Sequence, residues 1–222
     1  MSNANAPVLW IFAGPNGSGK SSITSGIYAE SPDIPETYIN ADVIAQERGI
    51  GALEAASIAQ AQRDAAFEAR GSFVMETVMS MPDKIDLMRQ AKTLGYQVRL
   101  IYVTTQDPKI NVRRVKWRHE AGGHDVPTDK IFSRYDRSMG YLPEAFAIAD
   151  AARIYNNSFD DPVLLVEKTP DNIVLYEQAP PSKWTRANIL ALIGMQDNKE
   201  PAQEDRYFDP SDAPCWPEDE DR

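Results

Sequence analysis

Residues 8–22 read VLWIFAGPNGSGKSS, and the fold follows from this stretch. Val8 to Ala13 is a short apolar run that stops at a glycine, the pattern of a strand buried on both faces. Gly14, Pro15, Asn16, Gly17, Ser18, Gly19, Lys20 and Ser21 then fit G-x-x-x-x-G-K-[ST]. Each part has a chemical reason. Glycines let backbone N–H groups turn inward and approach phosphate oxygens closely. A helix predicted over Lys20 to Glu30 aims its positive N-terminal end at the anion. Lys20 can reach the β- and γ-phosphates, and the Ser21 hydroxyl suits Mg²⁺. Gly14 through Ser22 are therefore the expected site for ATP or GTP, with Ser21 as metal ligand. The strand before and the helix after separate this motif from a chance glycine-rich turn.

Outward from the loop, strand and helix signals alternate. Strands are predicted at 37–40, 72–76, 97–103, 153–156, 162–168 and 173–177. Helices are predicted at 52–70, 82–94, 108–121, 128–140, 143–152 and 183–194. Strands alternating with helices give an α/β fold of the P-loop NTPase/kinase type: a mostly parallel sheet with helices on both faces. The expected organisation is a kinase domain over 1–196 and an acidic, mobile or loosely docked tail over 197–222. The tail's Tyr207, Phe208 and Trp216 leave surface docking open.

Charge and composition restrict the function. The net charge of the 222-residue chain is −10. Residues 197–222 hold ten acidic and three basic side chains, so the body is nearly balanced. A nucleic-acid binder normally carries a basic surplus, so no nucleic-acid partner is expected. No apolar run is long enough for a membrane span, and the N-terminus lacks a signal-peptide pattern; no membrane role and a cytoplasmic location are expected. The one cysteine, Cys215, excludes an internal disulfide, and with only two histidines a zinc site is not expected.

Three further groups bear on chemistry. Tyr38-Ile39-Asn40-Ala41-Asp42 puts a carboxylate just past a strand, where ligands of open α/β sheets gather. Asp42 is either a general base for a substrate hydroxyl or the N-cap of a helix over 43–48. Glu76-Thr77 ends the next strand the same way; Glu76 either binds substrate hydroxyls, helps hold Mg²⁺ through water, or merely caps a helix or finishes the strand. Finally, Arg113, Arg114, Lys116, Arg118, Lys130, Arg134 and Arg137 flank a Gly122-Gly123-His124-Asp125-Val126-Pro127 turn. Two basic helices around a hinge suit a clamp for transferred phosphate, or they are solvated surface charges. His124 reads as a turn residue.

These motifs together resemble the zeta-toxin family of P-loop kinases: G-P-N-G-S-G-K-S, I-N-A-D, E-T at 76–77, R-V…R…G-G-H-D-V-P and R-Y-D-R-S at 134–138. The likeness runs from about Val8 to Lys168. It implies an ATP- or GTP-dependent phosphotransferase with Mg²⁺, phosphorylating the 3′-hydroxyl of the amino sugar in UDP-N-acetylglucosamine and so draining a peptidoglycan precursor. By motif position it implies Lys20, Asp42, Arg118 and Arg134 as catalytic, and Asn40, Glu76 and Thr77 as substrate-binding. A protein antitoxin is a possible partner. The sequence departs from the best-known toxins at Pro15-Asn16 and in the spacing of its arginines. Other readings are a kinase of another nucleotide or metabolite, or a nucleotide-dependent ATPase or switch.

Overall fold

The computed structural model describes residues 6–30, 34–123, 126–179 and 182–196. The expected tail, 197–222, lies outside them, as does His124.

Among the described residues the sheet has seven strands: β1 (Val8–Ala13), β2 (Tyr38–Ile39), β3 (Phe73–Thr77), β4 (Gln97–Thr104), β5 (Ala151–Asn156), β6 (Val163–Lys168) and β7 (Ile173–Leu175). Their spatial order is β2-β3-β1-β4-β5-β6-β7. The first five in that row are mutually parallel, and β6 and β7 continue antiparallel. The expected mostly parallel α/β sheet is present.

β1 is central because its side chains suit a position with no solvent face. Leu9, Ile11 and Ala13 enter one core with α3 (Ala52–Glu68), α4 (Asp83–Thr93), α6 (Thr128–Ile148) and α7 (Arg186–Leu192). Trp10 and Phe12 alternate to the opposite face, where Ile23 and Ile27 of α1 (Lys20–Glu30) pack against them. Fully burying a side chain such as Leu9, Ile11 or Phe12 stabilises the fold by about 1.5–3 kcal/mol.

The chain leaves β1 toward β2 and β3 on one side and reaches β4 on the other. The crevice at the carboxyl end of β1 therefore lies between diverging connections, the place where such sheets bind ligands. Two helices start at that edge with defined caps. Asn40 caps α2 (Ala41–Arg48), accepting from Asp42 N at 2.9 Å. Asp107 caps α5 (Pro108–Glu120), accepting from Lys109 N at 2.8 Å, with Pro108 in the first turn. No helix among the described residues is long and apolar enough to cross a membrane.

Three expectations are corrected. Helices read separately at 128–140 and 143–152 are one helix, α6, with Pro143 inside it. Pro143 costs one backbone bond, but Leu142, Ala145 and Phe146 are buried around it and outweigh that loss. Its ring lies where a side chain on Gly194 would sit, 2.8 Å from a Cβ built there. Ala151 and Ala152, assigned to the second helix, instead open β5. The last helix begins at Arg186, three residues later than expected, because Thr185 caps it.

β5 and β6 are tied by a buried ion pair. Arg153 lies opposite Glu167, and its Nε and Nη2 each reach Oε1 at 2.8 Å. Arg153→Met should destabilise the fold by about 3–5 kcal/mol in urea unfolding, since Glu167 is left buried and uncompensated. The double change Arg153→Met/Glu167→Leu should recover most of that loss; equal losses would show that the ion pair is not the cause.

Candidate active site

The glycine-rich turn begins where β1 has no room left. A Cβ on Gly14 would meet the Val103 carbonyl oxygen at 2.0 Å, and its φ of +140° disfavours any other residue. Ser18 N donates to the Pro15 carbonyl at 3.2 Å and closes the turn. Lys20 folds back over it, its Nζ donating to Pro15 O at 3.2 Å. Ser22 is exposed on the first turn of α1.

Several features of this turn fit a bound polyphosphate. Lys20 is buried with one hydrogen-bond acceptor for an ammonium that carries three donors. Among the described residues, the Ser18 hydroxyl is buried without a partner. Burial pushes the Lys20 ammonium below its ordinary pKa; the charges of Glu76 and Asp42 oppose that shift and Arg118 adds to it. Both carboxylates and Arg118 thus act on the lysine electrostatically.

Glu76 reaches the same place from β3. The register pairs Phe12 with Glu76 and Ala13 with Thr77, so the strand ends lie side by side. Ser21 Oγ donates to Glu76 Oε1 at 3.1 Å. The other carboxylate oxygen accepts from Tyr38 OH at 2.8 Å, and Tyr38 OH accepts from Asn40 Nδ2 at 3.0 Å. A hydroxyl beside a carboxylate is an oxygen donor set suited to Mg²⁺, which takes its remaining ligands from water and phosphate. Ser21, Thr24, Ser25, Tyr38, Asn40 and Glu76 line a cleft of about 430 Å³.

The alternative roles of Asp42 are resolved in part. Asn40, not Asp42, caps α2, so the Asp42 carboxylate is not occupied by capping and is exposed. Asn40 spends both ends of its amide, one on the cap and one on Tyr38. Thr77 Oγ1 accepts from Met79 N at 3.0 Å and so shapes the loop after β3, where Met79 is held at a φ of +53°.

The R-Y-D-R-S segment divides by helix face. Arg134 turns to the phosphate loop, its Nη1 donating to Asn16 Oδ1 at 3.3 Å. Tyr135 and Ser138 turn inward: Tyr135 OH donates to Thr105 O, and Ser138 Oγ donates to Val78 O at 2.7 Å. Arg137 is exposed. Arg118 is exposed on α5, near enough for its charge to act on Lys20. Arg114, one turn earlier, is a strut, donating to the carbonyls of Asn157 at 2.7 Å and Phe159 at 3.4 Å.

The sequence reading missed Tyr38, Asn111 and Asn157. Tyr38 was legible, since strand alternation puts it on one face with Asn40. Asn157 follows β5 directly and fell under the same strand-end rule that selected Asp42 and Glu76. Asn111 is buried inside α5 and carries no sequence signal.

A parallel sheet ordered 2-3-1-4-5, a phosphate loop after its central strand and a Ser–Glu pair beside it define a P-loop kinase. The chain belongs to the zeta toxin family, whose family model, described as Zeta toxin, matches residues 48–178. An uncharacterized protein of Haemophilus influenzae (strain Rd) is 31% identical over 139 residues, covering 57% of this chain and 96% of that one. Among solved structures, the AvrRxo1-ORF1:AvrRxo1-ORF2 complex with sulphate ions matches with a TM-score of 0.58 at 16% identity. That match covers 78% of this chain and 62% of the other, and shows the fold. The PezAT chromosomal toxin–antitoxin system of Streptococcus pneumoniae matches at 18% identity over 73% of this chain and 74% of that one, with a TM-score of 0.49.

The lowered Lys20 pKa gives a signed prediction. A polyphosphate favours the charged ammonium, so nucleotide affinity should be greatest where Lys20 is already protonated. It should fall as pH rises through the lowered value, by about tenfold per pH unit for one proton. Calorimetric titration of Mg·ATP across the alkaline range should show this limb, and Lys20→Arg should lack it because guanidinium keeps its proton. A flat profile in the parent protein would contradict the assignment.

Proposed function

We propose that this kinase transfers the γ-phosphoryl group of ATP or GTP to a sugar hydroxyl of a UDP-activated amino sugar such as UDP-N-acetylglucosamine. The observation that supports transfer to a hydroxyl is the exposed Asp42 carboxylate, released from capping by Asn40 and close enough to Lys20 to act on it, while the UDP-amino-sugar acceptor follows from the likeness to the zeta toxin family. An acceptor hydroxyl needs such a carboxylate, whereas water hydrolysis by a switch protein does not require one at a cleft.

The chain's groups divide the work. The amides of Gly14 to Ser21 and the N-terminus of α1 bind the phosphates. Lys20 and Arg134 face the transferred group and offset its developing charge, with Arg118 adding to the positive field. Ser21 and Glu76 would hold Mg²⁺, which when bound neutralises phosphate charge and aligns the reacting oxygens. Tyr38 fixes Glu76 in place, and Asn40 fixes Tyr38. Asp42 takes the proton of the attacking hydroxyl. The cleft beside Ser21 and Glu76, whose lining includes Asn40 and Val43 on either side of Asp42 in the chain, is the proposed acceptor site. Thr77 shapes the loop after β3 by accepting from Met79 N.

A second hollow of about 490 Å³ lies between α6 and the end of α7, lined by Pro143, Phe146, Lys168 and Ile193 among others. Its one ammonium, Lys168, donates to the carbonyls of Phe146 at 2.7 Å and Ala149 at 2.6 Å. It offers no group for phosphate chemistry. The same reading places the kinase in residues 1–196 of a cytoplasmic protein, with a protein antitoxin as a regulatory partner.

The test is incubation with ATP, Mg²⁺ and UDP-N-acetylglucosamine, followed by mass spectrometry for a product one phosphoryl group heavier. Lys20→Ala should give no product. Asp42→Asn should lose about 10²–10⁴-fold in kcat while binding ATP like the parent. Parent-like turnover by Asp42→Asn would end the base assignment. An unmodified sugar nucleotide with ATP still bound would end the acceptor assignment.

A further inference from the structure

We propose that Asn157 and Asn111 are positioning residues for the nucleotide: their side-chain amides hold two carbonyls of the phosphate loop outward, so that the N–H groups of Gly19 and Gly17 face the phosphates.

Asn157 Nδ2 donates to the Ser18 carbonyl at 2.7 Å, and Asn111 Nδ2 donates to the Asn16 carbonyl at 2.7 Å. A trans peptide is planar and carries its C=O and N–H on opposite sides. Tethering Ser18 O therefore orients the N–H of Gly19, and tethering Asn16 O orients the N–H of Gly17. Neither amide donates to a protein acceptor among the described residues. Both remain available to an anion.

Both asparagines are themselves fixed before any ligand arrives. Asn157 N donates to Thr104 O at 2.8 Å, and its carbonyl accepts from Arg114 Nη1 at 2.7 Å. Asn111 is fully buried, and its Oδ1 accepts from Thr105 Oγ1. The clamps thus come from the ends of β5 and from α5, and Arg114 braces one of them. Asn157 also explains Gly19 beyond its φ of +90°: a Cβ there would lie 2.1 Å from Asn157 Nδ2. Preorganised donors of this kind need no rearrangement when charge develops. This role concerns nucleotide binding and does not depend on which acceptor the kinase uses.

The probe is inorganic tripolyphosphate with Mg²⁺, which reports on the cradle without base, ribose or acceptor. Asn157→Leu and Asn111→Leu keep approximate shape, remove the donor and add no charge; Asn157→Ala and Asn111→Ala replace them if leucine prevents folding. Each single variant should bind tripolyphosphate about tenfold or more weakly, and the KM for ATP should rise with it. A role in stability alone would lower the melting temperature and leave the affinity of the folded protein unchanged. In the parent, NMR should show the Gly17 and Gly19 amide signals moving as tripolyphosphate is added. Parent-like affinity in the folded variants, or Gly17 and Gly19 signals unmoved in the parent, would overturn the proposal.

Discussion

The parallel register of β1 with its two neighbours is the constraint on which the site depends. It sets Ala13 beside Thr77 on one side and beside Tyr102 on the other. The chain must then turn in the space between two strand ends. Gly14 does so against the Val103 carbonyl, where no side chain fits. Everything after that turn inherits its position: the α1 N-terminus, Lys20 over the loop, and Ser21 against Glu76. The two buried cores that fix β1 are thus also what aims the phosphate cradle.

The site holds charge in a graded way. Lys20 is buried and bears the cost of desolvation, while Glu76 and Asp42 lie near enough to offset part of it. Glu76 is further restrained by Ser21 and Tyr38, so its position is set before ligand arrives. Asp42 has no such restraint among the described residues, which fits the proton-accepting role proposed for it. The proposed roles, Glu76 at the metal and Asp42 at the proton, thus fall on a restrained carboxylate and an exposed one.

Much of this was legible in the sequence because the relevant signals are local. The strand, glycine turn and helix at 8–30 follow from adjacent residues, and the structure reproduces them. The strand-end positions of Asp42 and Glu76 follow from short apolar runs. What stayed hidden depends on distant contacts. Ruling out the cap role for Asp42 needed the side-chain direction of Asn40. Pro143 reads as a helix breaker until the burial of Leu142, Ala145 and Phe146 is known, since local propensity yields to packing. Asn111 and Asn157 meet the loop across 95 and 139 residues of sequence, a distance no motif spans. The arginines divided in the same way: Arg134 faces the loop and Arg114 braces it, a difference set by helix face and invisible in composition.

Ser21 and Glu76 are proposed as the metal end of a nucleotide cradle. A crystal structure of the protein with Mn²⁺ and a non-hydrolysable ATP analogue, collected at the manganese edge, tests it most directly. The expected result is an anomalous peak bound by Ser21 Oγ and by phosphate oxygens, with Glu76 reaching it directly or through water. Phosphates seated elsewhere, or a metal remote from Ser21 and Glu76, would contradict it.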